Sequence, residues 1–144
     1  MELSRCHYPQ GQISPDGLWI AYVSDESGDF EVYAQRFPAG GGKIRISTVG
    51  GMQPRWRRDG RELFYLQPDG ALMSVLVTLA ADIKADGPAT LFAGRIAYGG
   101  PGLGTRAEYD VTADGRRFIV NQIAEGEAPP PITVIVNWTA LLKK

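Results

Sequence analysis

Residues suited to nucleophilic or acid–base catalysis are scarce in this chain of 144 residues. It has one histidine, His7, and one cysteine, Cys6, so any Ser-His-Asp or Cys-His mechanism would have to use this adjacent pair. Neighbouring residues of an extended segment point to opposite faces, which disfavours a hydrogen bond between the two side chains. We therefore predict no catalytic residue and a structural or exposed role for this pair.

Two acidic groups remain as candidates for chemistry. Glu108 and Asp110 could serve a hydrolase or lyase, but a general acid and a general base need contrasting environments, which two similar strand positions do not offer. The acids of segment 25–29 have at best the spacing of a calcium loop, and a hairpin loop is the simpler interpretation. We predict neither a metal site nor a cofactor. A hydrolase or lyase that uses Glu108 and Asp110 is the least favoured functional hypothesis.

Two further motifs suggest nucleotide or nucleic-acid binding, and their contexts argue against both. Segment 98–104 is rich in glycine, but no βαβ pattern surrounds it, and Pro101 removes an amide donor that a phosphate site would use. Arginines flank Trp56, yet strand alternation scatters them, and the net charge of the chain is only −1. We therefore predict that segment 98–104 is a loop and that the arginines around Trp56 belong to a solvated hairpin. We predict no nucleic-acid partner.

Composition indicates a chain that folds around one core, with 44% hydrophobic and 22% charged residues. No apolar run approaches the roughly 18 residues of a membrane span, so we expect no membrane partner. Segment 1–10 has no apolar stretch of the kind found in signal peptides. A single cysteine rules out an internal disulfide without identifying the compartment, and the localisation stays unassigned.

The elements that position these residues come from an internal repeat. Each copy has an Asp-Gly pair followed by a hydrophobic segment of strand length, and the pairs are Asp16-Gly17, Asp59-Gly60 and Asp114-Gly115. The four residues ending at each glycine suit a type I turn that closes on a positive φ angle, where glycine avoids a Cβ clash. Asp69-Gly70 is a fourth copy of the turn. Each turn therefore predicts a hairpin.

Short segments rich in Val, Ile, Tyr and Phe predict an all-β fold with four strands in each of the first two repeats and three in the last. The predicted strands are 12–14, 18–24, 30–36 and 44–48; 54–57, 62–66, 72–78 and 89–92; and 109–112, 117–121 and 132–137. Helical turns are predicted at most in 79–84 and 139–144. Four antiparallel strands recurring every 40 to 45 residues or so are typical of a β-propeller blade.

The blocks 14–24 and 53–65 resemble TolB-type, WD-like β-propeller repeats, and they are similar to the C-terminal propeller of many bacterial serine/threonine kinases. The resemblance covers roughly residues 11 to 140 and implies a single unit with blades at about 11–50, 51–95 and 107–140, separated by a glycine-rich insertion at 94–106. It carries no catalytic residues. It also implies an alternative function, as a sensory or regulatory fragment of a larger signalling protein.

Three blades form a partial propeller, because closed propellers use about four to eight. We expect a second copy to complete a six-bladed ring, as a homodimer joined through the open blade faces. The alternatives are a fragment of a longer propeller and docking on another protein or peptide partner. Segment 1–10 could supply a closing strand for the third blade.

The innermost strand of each blade lines the channel of a propeller. The repeat alignment places polar residues at two positions of this strand: Gln12, Arg55 and Asp110 at one, and Gln10, Gln53 and Glu108 two residues earlier. Because side chains alternate along a strand, both sets are predicted on one side, opposite Trp56. The sequence therefore favours a non-catalytic module that binds a protein segment or small polar ligand at the channel mouth; a water-filled channel without a ligand is the alternative.

Overall fold

The computed structural model describes residues 11–94, 96, 107–122 and 133–135, the last three by their backbone. Throughout these residues the chain forms antiparallel sheets and no helix, which confirms the all-β prediction. No helix in the described part could cross a membrane. Several predictions fall outside the described residues, namely those on segment 1–10 with Cys6, His7 and Gln10, on most of the insertion 94–106, and on the tail 139–144.

Sheet 1 is a four-stranded meander in which each strand pairs with the next along the chain. Its strands are β1 (Gly11–Ile13), β2 (Trp19–Ser24), β3 (Glu31–Arg36) and β4 (Ile44–Arg45). The predicted strands of the first repeat are confirmed, although β4 is shorter than expected.

Sheet 2 differs from the prediction at its outer edge. Its strands are β5 (Met52–Trp56), β6 (Glu62–Leu66), β7 (Ala71–Leu79), β8 (Ile83–Ala85) and β9 (Ala89–Ala93). The strand β7 is long enough for β8 and β9 to share one of its edges. The helical turn predicted over 79–84 is wrong, because Leu79 pairs with Ile83 in a hairpin and the Ile83 side chain is buried in the core.

Sheet 3 is a three-stranded meander. It contains β10 (Tyr109–Val111), β11 (Phe118–Val120) and β12 (Thr133–Ile135). All three strands lie within the predicted ranges.

The four Asp-Gly turns share one geometry. Their glycines, Gly17, Gly60, Gly70 and Gly115, have φ angles between 70° and 84°, and each glycine amide donates to the carbonyl three residues earlier at 2.8 to 3.0 Å. In every turn the aspartate carboxylate also accepts the amide two residues further on. The predicted turns are therefore confirmed, and they place the three repeats in the same register.

The sheets pack face to face in chain order, and sheet 2 lies between the other two. One face of sheet 2 meets sheet 1 in a core that includes Ala21, Val23, Leu63 and Tyr65. The other face meets sheet 3 in a second core, built from residues that include Phe64, Leu66, Leu72, Tyr109, Phe118 and Val120. From Leu63 to Leu66, the central sheet therefore buries apolar side chains on both of its faces.

Replacing Gly70 by alanine tests the packing at the fourth turn. Gly70 has a φ of 84°, and a Cβ atom there would lie 2.9 Å from the carbonyl oxygens of Gly94 and Ile96. We expect Gly70→Ala to lower the free energy of unfolding by more than the roughly 1 to 2 kcal/mol that a left-handed conformation costs by itself. Urea unfolding measures the change.

The matched control is Gly28→Ala. Gly28 has a φ of 102° and also donates to the carbonyl three residues earlier, but an added Cβ would meet open space. It should therefore show the conformational cost alone. Equal losses for the two variants would contradict the close backbone approach at Gly70.

Candidate functional site

The first strands of the three sheets, β1, β5 and β10, are joined through side chains. The Trp56 indole Nε1 donates to the Gln12 carbonyl at 3.0 Å, which ties β5 to β1. The Gln53 side-chain oxygen accepts the Glu108 amide at 2.8 Å, which ties β5 to the start of β10. The structure thus brings together five of the six predicted lining residues, which we call the inner-strand row: Gln12, Gln53, Arg55, Glu108 and Asp110. The sixth, Gln10, lies outside the described residues.

Gln53 departs from the predicted alternation. The pairing of β5 with β6 shifts by one residue between Met52 and Arg55, and Gln53 has a φ of 55° at this bulge. A bulge adds one residue to its strand, so positions two apart no longer share a side as they do in a regular strand. The Gln53 side chain is buried and bridges to β10 instead of lining an open surface. Its main role here is to hold two sheets together.

Tyr109 adds a second hydrogen bond to the link between β5 and β10, and the sequence did not predict this role. Its hydroxyl donates to the Gln53 carbonyl at 2.8 Å, and the residue is 2% exposed. Burial raises the pKa of Tyr109 well above its usual value, since the phenolate would lose its hydration. Tyr109 therefore stays protonated and remains a donor. Tyr109 begins the predicted strand 109–112, and no sequence signal pointed to its hydrogen-bond partner.

Arg55 and Asp110 place opposite charges next to each other at the row. Arg55 Nε lies 3.9 Å from an Asp110 carboxylate oxygen, and the guanidinium also donates to the Pro54 carbonyl at 3.2 Å. The Arg55 side chain is 23% exposed, whereas that of Asp110 is 70% exposed. An ion pair this open is weak, so a ligand that offers better hydrogen bonds can displace it.

Glu108 is held by Asn121, which the sequence reading also missed. The Asn121 amide group donates to the Glu108 carboxylate at 2.7 Å, and the two backbones are linked by a hydrogen bond of 2.8 Å. Tyr109 pairs with Val120, so Asn121 comes next to Glu108 in the same register. The Asp-Gly turn defines that register, and counting outward from it would have found this pair.

A separate cleft of about 500 Å³ lies beside the Asp-Gly turns of the first two sheets. Its lining combines acidic, basic and apolar side chains, including Asp16, Asp59, Arg61, Leu76 and Asp86. Within the described parts of the chain, no three or more His, Cys, Asp or Glu residues are arranged to hold a metal ion.

Asp59 lies at the edge of this cleft, and its carboxylate is engaged in hydrogen bonds within its own turn. Both of its carboxylate oxygens accept from the Arg57 guanidinium, at 2.7 and 2.8 Å. Hydrogen bonding from Arg57 lowers the pKa of Asp59 to about 2. Arg57 also donates to Glu62 at 2.7 Å, so the turn, its arginine and strand β6 form one network.

The inner-strand row therefore offers the Arg55 guanidinium and the exposed Asp110 carboxylate, on strands that the Gln53 and Tyr109 hydrogen bonds hold together, and this suits the binding of a polar ligand. A comparison with models of known protein families gives no match, and a comparison with curated proteins gives none either.

Replacing Tyr109 by phenylalanine tests the bridge between β5 and β10. The variant leaves the buried Gln53 carbonyl without this donor, and we expect the free energy of unfolding to fall by about 1 to 2 kcal/mol. Tyr65→Phe is the matched control, because the Tyr65 hydroxyl is buried and makes no hydrogen bond within the described residues. It should be neutral or stabilising. A larger loss for Tyr65→Phe than for Tyr109→Phe would contradict the bridge.

The Asp59–Arg57 pair predicts a dependence on pH. A carboxylate whose pKa is lowered from 3.8 to about 2 stabilises the folded state above pH 4, and this contribution disappears as the pH falls towards 2. We expect Asp59→Asn to cost about 0.5 to 1 kcal/mol at neutral pH, a small value because the carboxylate is half exposed. Urea unfolding at several pH values measures the difference from the unmodified protein.

Asp69→Asn is the control for the ion pair. Asp69 accepts the amide two residues on in the same type of turn but forms no ion pair with a described residue. At neutral pH, the loss of stability for Asp59→Asn should exceed that for Asp69→Asn. Equal losses for the two variants would argue against the ion pair.

Proposed function

We propose that this chain is a non-catalytic binding module built as three blades of a β-propeller. Sheets 1, 2 and 3 are the blades, and β1, β5 and β10 are their innermost strands. The proposal is supported by the recurring turn geometry, by the meander order of sheets 1 and 3 and of β5 to β8 in sheet 2, and by the packing of successive sheets face to face. Three blades are half of a six-bladed ring, so the complete module would contain two copies.

The observation that carries the functional part is the convergence of the inner-strand row. Gln12, Arg55 and Asp110 are far apart in the sequence, and their placement along one edge of the three sheets is supported by the hydrogen bonds that link β1 to β5 and β5 to the start of β10. In a propeller this edge surrounds the channel mouth. Side chains fixed on strands present hydrogen-bonding groups at low entropic cost, which favours the capture of a protein segment or small polar ligand.

The same geometry favours binding over catalysis. Asp110 is largely in solvent beside Arg55, and Glu108 is engaged by Asn121. Neither carboxylate occupies the enclosed apolar setting that keeps a general acid protonated at neutral pH.

The experiment selects peptides from a random display library on the immobilised protein and measures the dissociation constant of the tightest one. Arg55→Glu reverses the charge at the centre of the row, and we expect it to weaken binding of that peptide by tenfold or more, about 1.4 kcal/mol. Arg116→Glu is the control, because Arg116 is an exposed residue of the third Asp-Gly turn. Isothermal titration calorimetry gives the constants.

Thermal unfolding of both variants confirms that each is folded. Equal affinity for Arg55→Glu and the unmodified protein would place the binding site elsewhere. Weaker binding for Arg116→Glu than for Arg55→Glu would move it to the turn end of the sheets.

A further inference from the structure

We propose that the outer face of sheet 3 in one protomer docks on the outer face of sheet 1 in a second copy, with Ile119 against the partner's Ile20. The reciprocal contact then closes a ring of two chains. This inference rests on the proposed function, because it identifies the partner that completes the channel and adds a second inner-strand row to it.

Counting from the turn aspartate identifies equivalent positions in the three sheets. The fourth residue after the aspartate is Ile20, Leu63 or Phe118. In sheets 2 and 3 this residue points back to the preceding sheet: Leu63 lies in the core shared with sheet 1, and Phe118 in the core shared with sheet 2. Ile20 is the corresponding residue of sheet 1, and it is half-buried, with no preceding sheet among the described residues.

The fifth residue after the aspartate points the other way. Ala21 and Phe64 face the following sheet, and both are 0% exposed. Ile119 holds this position in sheet 3, and it is 43% exposed. Sheet 3 thus presents a forward face, on the side away from sheet 2, and sheet 1 presents a backward face, also on the side away from sheet 2. Among the described residues, no further sheet covers either face as the equivalent faces are covered.

A contact between two aromatic side chains shows how the fourth and fifth positions of neighbouring sheets meet. Phe64 and Phe118 pack edge to face with their centroids 5.1 Å apart, so the fifth position of one sheet touches the fourth position of the next. Applied once more, the same relation places Ile119 against Ile20 of a second copy. The proposed Ile119–Ile20 contact would therefore have the geometry that the structure shows between sheets 2 and 3.

The Asp-Gly turns repeat the pattern. A Cβ on Gly60 would contact Pro15, in the Asp-Gly turn of sheet 1. A Cβ on Gly115 would contact Arg57, in the turn of sheet 2 that ends at Gly60. A Cβ on Gly17 would meet none of the described residues within 4 Å. The third turn of a second copy would fill this space.

Further apolar exposure lies on the same side of sheet 1. Ile13 is 51% exposed, whereas Trp56, its equivalent in sheet 2, is 8% exposed. The forward face of sheet 3 and the backward face of sheet 1 are the two sides of one repeated interface. A single chain carries both sides. A second copy is therefore the occupant that matches both faces at once, in a head-to-tail arrangement that closes after two chains.

The experiment uses opposite charges on the two faces. Light scattering after size-exclusion chromatography should give twice 15.7 kDa for the unmodified chain at micromolar concentration. Ile20→Glu and Ile119→Lys should each weaken association by tenfold or more, because each buries an unpaired charge in both interfaces. An equimolar mixture of the two variants should recover the two-chain species, since it forms one unmodified interface and one with opposite charges in contact.

Val49→Glu and Leu76→Lys are matched controls at exposed apolar positions outside β2 and β11, the strands that carry Ile20 and Ile119, and they should stay dimeric. Circular dichroism verifies folding of every variant. A monomeric unmodified chain, a series of larger oligomers, or a mixture that fails to recover the two-chain species would overturn the proposal.

Binding of the selected peptide separates this proposal from the function it rests on. Monomeric Ile119→Lys that still binds the peptide weakly would leave the inner-strand row as the site. A dimer whose peptide affinity is insensitive to Arg55→Glu would retain the ring and reject that site.

Discussion

Sheet 2 places apolar side chains on both of its faces, so water must be excluded from both. Leu63 and Phe64 are neighbours in β6, and because successive strand residues point to opposite faces, they enter two different cores. Each is 0% exposed. At roughly 25 cal/mol per Å² of buried apolar area, covering such a sheet on both sides is a dominant stabilising contribution. The layered order of the three sheets follows from this need.

The Asp-Gly turns convert that layering into a repeated register. Each turn closes on a glycine with positive φ, and each aspartate carboxylate accepts the amide two residues further on, so the strand after every turn starts at the same point. Side chains at equivalent positions therefore meet equivalent neighbours. This regularity relates the Phe64–Phe118 contact to the exposed Ile119, and it brings β1, β5 and β10 to the same edge.

The inner-strand row combines structural and exposed polar groups. Gln53 and Tyr109 are buried and form hydrogen bonds between sheets, so they hold the strands in place. Arg55 and Asp110 stand on these strands with more of their charge in water. A rigid base with adaptable charges above it is a suitable arrangement for recognition, because little ordering of the protein accompanies binding.

Local patterns in the sequence determined the all-β class, the four Asp-Gly turns and most strand positions, because turns and strand alternation depend on residues a few positions apart. Tertiary structure alone decided the rest. The strand β8 depends on the length of β7, the bulge at Gln53 on its partner strand, and the hydroxyl of Tyr109 on a carbonyl 56 residues away in the chain. Packing likewise decided that Phe64 is buried and Ile119 is exposed, since burial depends on neighbouring sheets and cannot be predicted from one strand.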